Sequence, residues 1–403
     1  LFYISKKSNF SELITFLYLM RTLSVHIIFL LITLFSTSFI YGQSTTNDST
    51  HIHGFVRDIN DKITGSVFLS NSKLTLLFNN FPPKNWWDND ALIRRDRPKD
   101  VIYVPNNSYL VGLGVSFGNL GIRASIQTPI SEYDEDLYGK SSVFRLRVDG
   151  FVKKWYLDAE YYRYTGFTDT NVAIYDSTWN RPQKLIRDDI ITRSINLHAV
   201  RFSNKKFSYK AIFKQKEIQM KSAFTTYFKA RYRSENYNAA APFLPPLARN
   251  PESKFGTMSR LVMNDLTVLG GGAGALVWRG FYFGAMVGVG MGVQHQNYTL
   301  ADQTGTRYAF LPALDTKASA GYNTQRMFIT LSLNTEITYS VLPSIVDQEF
   351  LAISYFTNFE INCGYRFDMG PRLNQTVNWA NHFIKTTFEM VIGKHNKKNK
   401  EQD

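Results

Sequence analysis

Residues 109–128 read YLVGLGVSFGNLGIRASIQT, and few folds can accommodate such a stretch. Val111, Leu113, Val115 and Phe117 share one face of an extended segment. After Gly118-Asn119, the residues Leu120, Ile122, Ala124 and Ile126 return on that same face. Side chains alternate across a strand, so the pattern is a hairpin about a two-residue turn. Its register sets Phe117 against Leu120 and Val115 against Ile122. The opposite face carries Gly112, Gly114 and Ser116 against Gly121, Arg123 and Ser125. One side of this ribbon asks for an apolar medium and the other for a polar or crowded one.

The design recurs. In VFRLRVDGFVKKWYLDAEYYRY, Leu146, Val148 and Val152 return through Lys153-Lys154 to Trp155, Leu157, Ala159 and Tyr161. The opposite face pairs Arg147 with Glu160 and Arg145 with Tyr162. It also sets Asp149 against Asp158, an unfavourable pair unless a cation stands nearby. Further hairpins are expected from 191–202 through 204–206 into 207–219, and from 266–278 through Arg279-Gly280 into 281–295. Two more run from 314–322 into 325–336 and from 350–356 into 360–367. A single strand is expected at 72–80, and a last one around 384–392, where Ile384, Thr386, Phe388, Met390 and Ile392 alternate with Lys385, Thr387, Glu389 and Val391.

Tight turns fall within hairpins, and longer polar or aromatic segments fall between them. Short turns on one side and long loops on the other are the layout of an outer-membrane barrel. The expected fold is therefore all-β: a closed antiparallel transmembrane barrel of about fourteen strands, with twelve as the alternative. Fourteen strands return both ends to the turn side, with 384–392 closing on 72–80 and leaving no free edge. Trp155, Trp278 and Phe281 gather at turn ends, where an aromatic girdle is expected.

The N-terminus fits export. Met20 opens MRTLSVHIIFLLITLFSTSFIYGQ, with Arg21 before an apolar run and then small and polar residues. This is a signal-peptide layout, expected to be cut after Gly42. The expected organisation is an upstream mis-start at 1–19, a signal peptide at 20–42 and a flexible segment at 43–71. The barrel follows at 72–393 and a basic tail at 394–403. The one cysteine, Cys363, cannot form an intrachain disulfide. Aromatic residues make up 15% of the chain, which suits a barrel whose lipid-facing and lumen-facing side chains alternate.

Residues 110–128, AIFKQKEIQMKSAF (211–224), FEINCGYRF (359–367) and LTLLFNNFPPKNWW (74–87) resemble an uncharacterised family of exported proteins from Bacteroidota. It is a domain-of-unknown-function family read as outer-membrane β-barrels. The resemblance covers most of residues 70–370 and implies an outer-membrane barrel without an established activity.

Charges on the polar face belong in a lumen. The lumen-lining candidates are Arg123, Arg145, Arg147, Asp158, Glu160, His198, Lys210, Lys214, Arg326, Glu360 and Arg366, with Glu336, Lys385 and Glu389 in the same class. Their mixed signs point to a salt-bridged interior more than to a selective anion pore. The formal net charge of +13 is dispersed over strands and carries no nucleic-acid-binding motif.

No catalytic, cofactor or metal site is expected. His51 and His53 lack further ligands, and the acids Glu132, Asp134, Glu135 and Asp136 read as a solvated loop. Ser194 and His198 share a strand face but stand about 13 Å apart, too far for a nucleophile and its base. VLGGGAGALVW lacks the Lys-Ser/Thr of a phosphate loop. Its inner face sets Gly271 against Gly288 and Ala275 against Gly284, a bare wall that suits a plug, an inward-folded loop or a ligand, and equally suits a bend in the wall itself.

The expected partners are the lipid bilayer and envelope proteins met through loops 129–142, 167–188 and 220–263. Three functions stay open: a barrel passing or binding small solutes or lipophilic molecules, a structural subunit of an envelope complex, and a soluble exported binding barrel. A lumen filled by 220–263 would favour the second.

Overall fold

A computed structural model describes residues 51–52, 54–59, 61–79, 100–107, 109–152, 155–343 and 348–370. The long strands are β3 (Lys62–Asn79), β5 (Leu110–Phe117), β6 (Leu120–Gln127), β7 (Ser142–Val152), β8 (Trp155–Asp169) and β9 (Leu185–Phe202). They continue with β11 (Ala223–Asn238), β12 (Arg260–Trp278), β13 (Phe281–Thr299), β14 (Thr304–Asn323), β15 (Met327–Pro343) and β16 (Gln348–Asp368). Short pieces are β1 (His51–Ile52), β2 (Val56–Asp58), β4 (Val101–Val104) and β10 (Glu217–Gln219), with helices α1 (Glu135–Tyr138), α2 (Val172–Tyr175) and α3 (Tyr209–Phe213). No helix among the described residues is long and apolar enough to cross a membrane.

The twelve long strands link, all antiparallel, into a ring of hydrogen-bonded neighbours that returns from β16 to β3. The two expected hairpin registers are present: Phe117 faces Leu120, Arg147 faces Glu160, and Asp149 faces Asp158. The outward face is apolar throughout the middle of the wall. Leu113, Val289 and Met291 are 66%, 67% and 69% exposed. Burying one such side chain is worth roughly 1.5–3 kcal/mol, so a continuous belt of them demands a non-aqueous surround. Inward, the period-two partners are Gly, Ser, Thr, Asn and charged residues.

Several strand expectations need correction. Residues 207–219 are not a strand of the ring: Tyr209, Ile212 and Phe213 have helical spacing and form α3, which folds inside the ring, and only Glu217–Gln219 is extended, as β10 paired with β2. The strand following β9 is instead β11, within the segment 220–263 expected to be a loop. Residues 350–356 and 360–367 form one strand, not a hairpin. Asn358, expected near a turn, points inward, where it accepts from Ser72 Oγ and, at 3.1 Å, from Arg145 Nη1. β3 begins at Lys62, ten residues before the expected barrel start and inside the segment expected to be flexible.

The partners of 72–79 among the described residues are not those of a closure on 384–392. β3 pairs with β16 on one side, and with β5 and β4 on the other. Residues 384–392 lie outside the described residues, as do the signal peptide, the 394–403 tail, Lys385, Glu389, His53 and the Lys153-Lys154 turn. With twelve strands both ends already reach the turn side, where Lys62 is ion-paired with Asp368.

Candidate functional site: a filled lumen

The turn-side end of the lumen is occupied by the chain between β9 and β11. Ser208 caps α3 by accepting from the Ala211 backbone N–H at 3.0 Å. Gln215, at φ +53°, then reverses the chain into β10. β10 pairs with β2, and β2 with β1, so the N-terminal segment is stitched to this plug. The bare wall read from the sequence lies beneath it. Gly271 faces Gly288 and Ala275 faces Gly284. A Cβ on Gly284 would stand 2.3 Å from Ile212 Cγ2, and one on Gly288 2.2 Å from the Tyr227 hydroxyl. Only glycine lets the plug and the Tyr227 ring approach this closely.

The plug's polar groups are tied to the wall. Lys216 Nζ lies 2.6 Å from Asp149, and Lys214 Nζ lies 3.4 Å from Asp149 and 3.8 Å from Asp158. Lys214 is thus the cation that the Asp149–Asp158 cross-strand pair requires. Lys210 donates to Asn119 at 2.8 Å and pairs with Glu217 at 3.2 Å. Arg366 donates to the Gln215 carbonyl at 2.6 Å and to Asn323 at 2.8 Å.

Above the plug, the wall carries its own network. Arg147 is paired with Asp158 and lies 2.8 Å from Glu160, while Arg123 meets Glu360 at 2.6 Å. Lys229 pairs with Asp315 at 2.9 Å, and Arg233 with Glu336 at 2.6 Å. Breaking one partner of such a buried pair leaves an uncompensated charge, a cost of roughly 3–5 kcal/mol.

The loop-side mouth is capped by an apolar cluster. Phe78 stacks on Phe243 at 4.7 Å, and Tyr103 donates to the Phe243 carbonyl at 2.6 Å. Arg187 holds the same segment by donating to the Pro242 and Ala241 carbonyls, each at 2.9 Å. Beside them Asp169, beyond the apolar belt at the end of β8, accepts from Tyr175 and from the Asn171 backbone N–H. Its burial pushes the carboxyl up to about 6, against the opposing hydrogen bonds.

Of the expected lumen residues, Arg123, Arg145, Arg147, Asp158, Glu160, His198, Glu336, Glu360 and Arg366 point inward from strands. Lys210 and Lys214 enter the lumen from the plug instead. Arg326 is a correction: it sits exposed beside the β14–β15 turn, 3.3 Å from Asp368, because the turn takes it out of the inward register. Trp155, Trp278 and Phe281 stand at turn ends, with Trp278 stacked on Phe281. Ser194 Oγ contacts Asn196 at 3.4 Å, while His198 faces Asp158 and Arg231 in register. Glu132 is paired with Lys73 at 2.6 Å and Asp134 caps α1. No group of three or more His, Cys, Asp or Glu that could hold a metal occurs among the described residues.

Sequence reading missed Lys216, Lys229, Arg231, Arg233, Glu235 and Asp315. The signal was available in FKARYRSENY, where Lys229, Arg231, Arg233 and Glu235 alternate with Phe228, Ala230 and Tyr232.

An antiparallel ring, apolar outside and salt-bridged inside, has the architecture of an outer-membrane β-barrel. The chain belongs to the DUF4421 family, a domain of unknown function, whose model matches residues 47–367. No match was found among curated proteins. Among solved structures, the chain is similar to the outer membrane protease OmpT from Escherichia coli. The identity is 8%, with 77% of this chain and 98% of that chain covered and a TM-score of 0.31. It is also similar to the toluene transporter TodX of P. putida, at 7% identity, 77% and 91% coverage and a TM-score of 0.26. A third is the β domain of the Bordetella autotransporter BrkA, at 11% identity, 76% and 99% coverage and a TM-score of 0.27.

Proposed function

We propose that this protein is a non-enzymatic, twelve-stranded outer-membrane barrel closed to free diffusion by its own chain, and that it serves as a structural subunit of a larger envelope assembly. The observation that carries this reading is the plug, with Lys214 and Lys216 ion-paired to the wall while residues 239–259 cap the far mouth. A barrel filled at both ends supports binding through its outer surfaces more than solute passage through its axis. The segment that fills the turn-side lumen is 203–222, while residues 239–259, part of the 220–263 segment whose filling of the lumen would favour this reading, cap the loop-side mouth.

Planar-bilayer conductance tests the closure. The purified native protein should show no steady open-pore steps, whereas a deletion variant lacking residues 205–221 and carrying a short Gly-Ser loop in place of residues 240–258 should produce them. Ohmic conductance of the native barrel, at the level of the deletion variant, would return the solute-passage reading. A native pull-down then tests the assembly: a discrete complex supports it, and a protein recovered alone counts against it.

A further inference from the structure

β14 and β15 separate halfway up the wall. Their pairing runs from Asn323–Phe328 at the turn to Thr316–Thr335 and ends there. β13 stays paired with β14 as far as Thr304, and β15 stays paired with β16 as far as Pro343. Residues 304–315 and 336–343 therefore each keep one neighbour and flank a seam. Thr316 lies opposite Val287, and Val289, Met291 and Val293 continue the exposed apolar face above it. The seam thus opens within the apolar belt, in its loop-side half.

The β14 lip of this seam is apolar on both faces from Tyr308 to Leu314, whereas the β15 lip turns Glu336, Thr338 and Ser340 inward and Ile337 outward. Tyr308 and Phe310, each 71% exposed, point outward with Leu314, while Ala309, Leu311 and Ala313 alternate inward. Lower on the same strand the inward positions are Asp315, Lys317 and Ser319, so the apolar inner face begins just above Asp315, one residue past the last β14–β15 pair. Pro312 lies in this run, and proline, which cannot donate to a ladder, belongs on strand edges.

At the foot of the seam a narrow cleft joins outward-facing Pro312 and Ile337 to inward-facing Arg231, Gln294 and Thr338. Arg231 is 4% exposed, and its Nε and Nη1 have no hydrogen-bond partner among the described residues. The neighbouring acids are engaged elsewhere: Asp265 by Gln294 at 2.7 Å, Glu336 by Arg233 and Asp315 by Lys229. A buried guanidinium without a partner is costly.

We propose that the β14–β15 seam binds an anionic amphiphile from the bilayer, with its hydrocarbon chain along the apolar β14 lip and its carboxylate or phosphate on Arg231. The site rests on the membrane reading above, and insertion is scored separately from binding.

The test uses the full chain with Cys363→Ser, reconstituted in phosphatidylcholine vesicles. A bimane fluorophore is placed on Leu311→Cys, at the inner lip, or on Ser332→Cys, inward in the paired part of β15. Quenching is read with doxyl-stearate, doxyl-phosphatidylglycerol and, as the uncharged-on-balance control, doxyl-phosphatidylcholine. Leu311→Cys should be quenched several-fold more than Ser332→Cys, with an anionic probe favoured over the control about tenfold, the worth of one charge-assisted hydrogen bond. Arg231→Gln should abolish that preference and Arg231→Lys should keep most of it. Quenching by doxyl-stearate alone assigns a free fatty acid, and quenching by doxyl-phosphatidylglycerol assigns a phospholipid headgroup. Equal quenching at the two positions, or a preference unchanged by Arg231→Gln in a heat-modifiable barrel, overturns the site. Failure of the parent protein to insert overturns the membrane reading instead.

Discussion

Asp169 shows how one residue couples the loop-side cap to pH. Its carboxyl is buried, and burial raises it to about 6 in the fold from 3.8. A raised carboxylate favours the protonated folded state. Its contribution is fully present below about 3.8 and is lost as pH rises through about 6. Asp169→Asn keeps the Oδ1 acceptor for the Asn171 N–H and presents its Nδ2 amide to the Tyr175 hydroxyl, which can accept in turn, while removing the charge. The variant should gain stability relative to the parent at pH 7.5, by at most about 3 kcal/mol, and gain little at pH 4. Thermal unfolding midpoints of both proteins across that range provide the check. A difference that does not change with pH would sink the argument.

At the scale of elements, legibility followed periodicity. The β5–β6 and β7–β8 hairpins were readable to the residue because a period-two pattern met a tight turn. The plug was not, because its three apolar anchors, Tyr209, Ile212 and Phe213, had been read as strand positions in a mostly polar segment. Once those residues were spent on a false strand, the true strand β11 fell into an apparent loop. The glycine wall, which suits a close neighbour and a bend in the sheet equally well, carries the plug. That contact yields a prediction. Gly284→Leu should drive its side chain into the space of Ile212, displace α3 and raise protease cleavage within 203–222 about tenfold or more. Adding Ile212→Ala should restore part of the protection by vacating that space. If Gly284→Leu alone leaves cleavage unchanged, α3 does not rest on the wall as described. Long-range pairings were the least legible feature: nothing local to Arg231 or Asp315 reveals which strand will stand opposite.

For the whole molecule the deciding question is which strand completes the ring. The expectation of an extra closing strand follows from reading β16 as two strands, which puts the C-terminal end of the sheet on the loop side. Asn358 is the residue behind that reading: a turn former by habit, it stands mid-strand and is held there by Ser72 and Arg145. With β16 continuous, the register from Asp368–Lys62 to Leu351–Asn79 places both edges of β3 in use. A chain ending at Gly370 should therefore still give a heat-modifiable, protease-resistant barrel in the outer membrane. One ending at Asn358 should not, because it removes the loop-to-turn half of the β16–β3 ladder and leaves backbone groups that a bilayer cannot hydrate. The two truncations differ by only a dozen residues, so export and synthesis are matched between them. Loss of the barrel in both would restore the 384–392 segment as the closing strand, and retention in both would mean that the β16–β3 contact does not hold the ring.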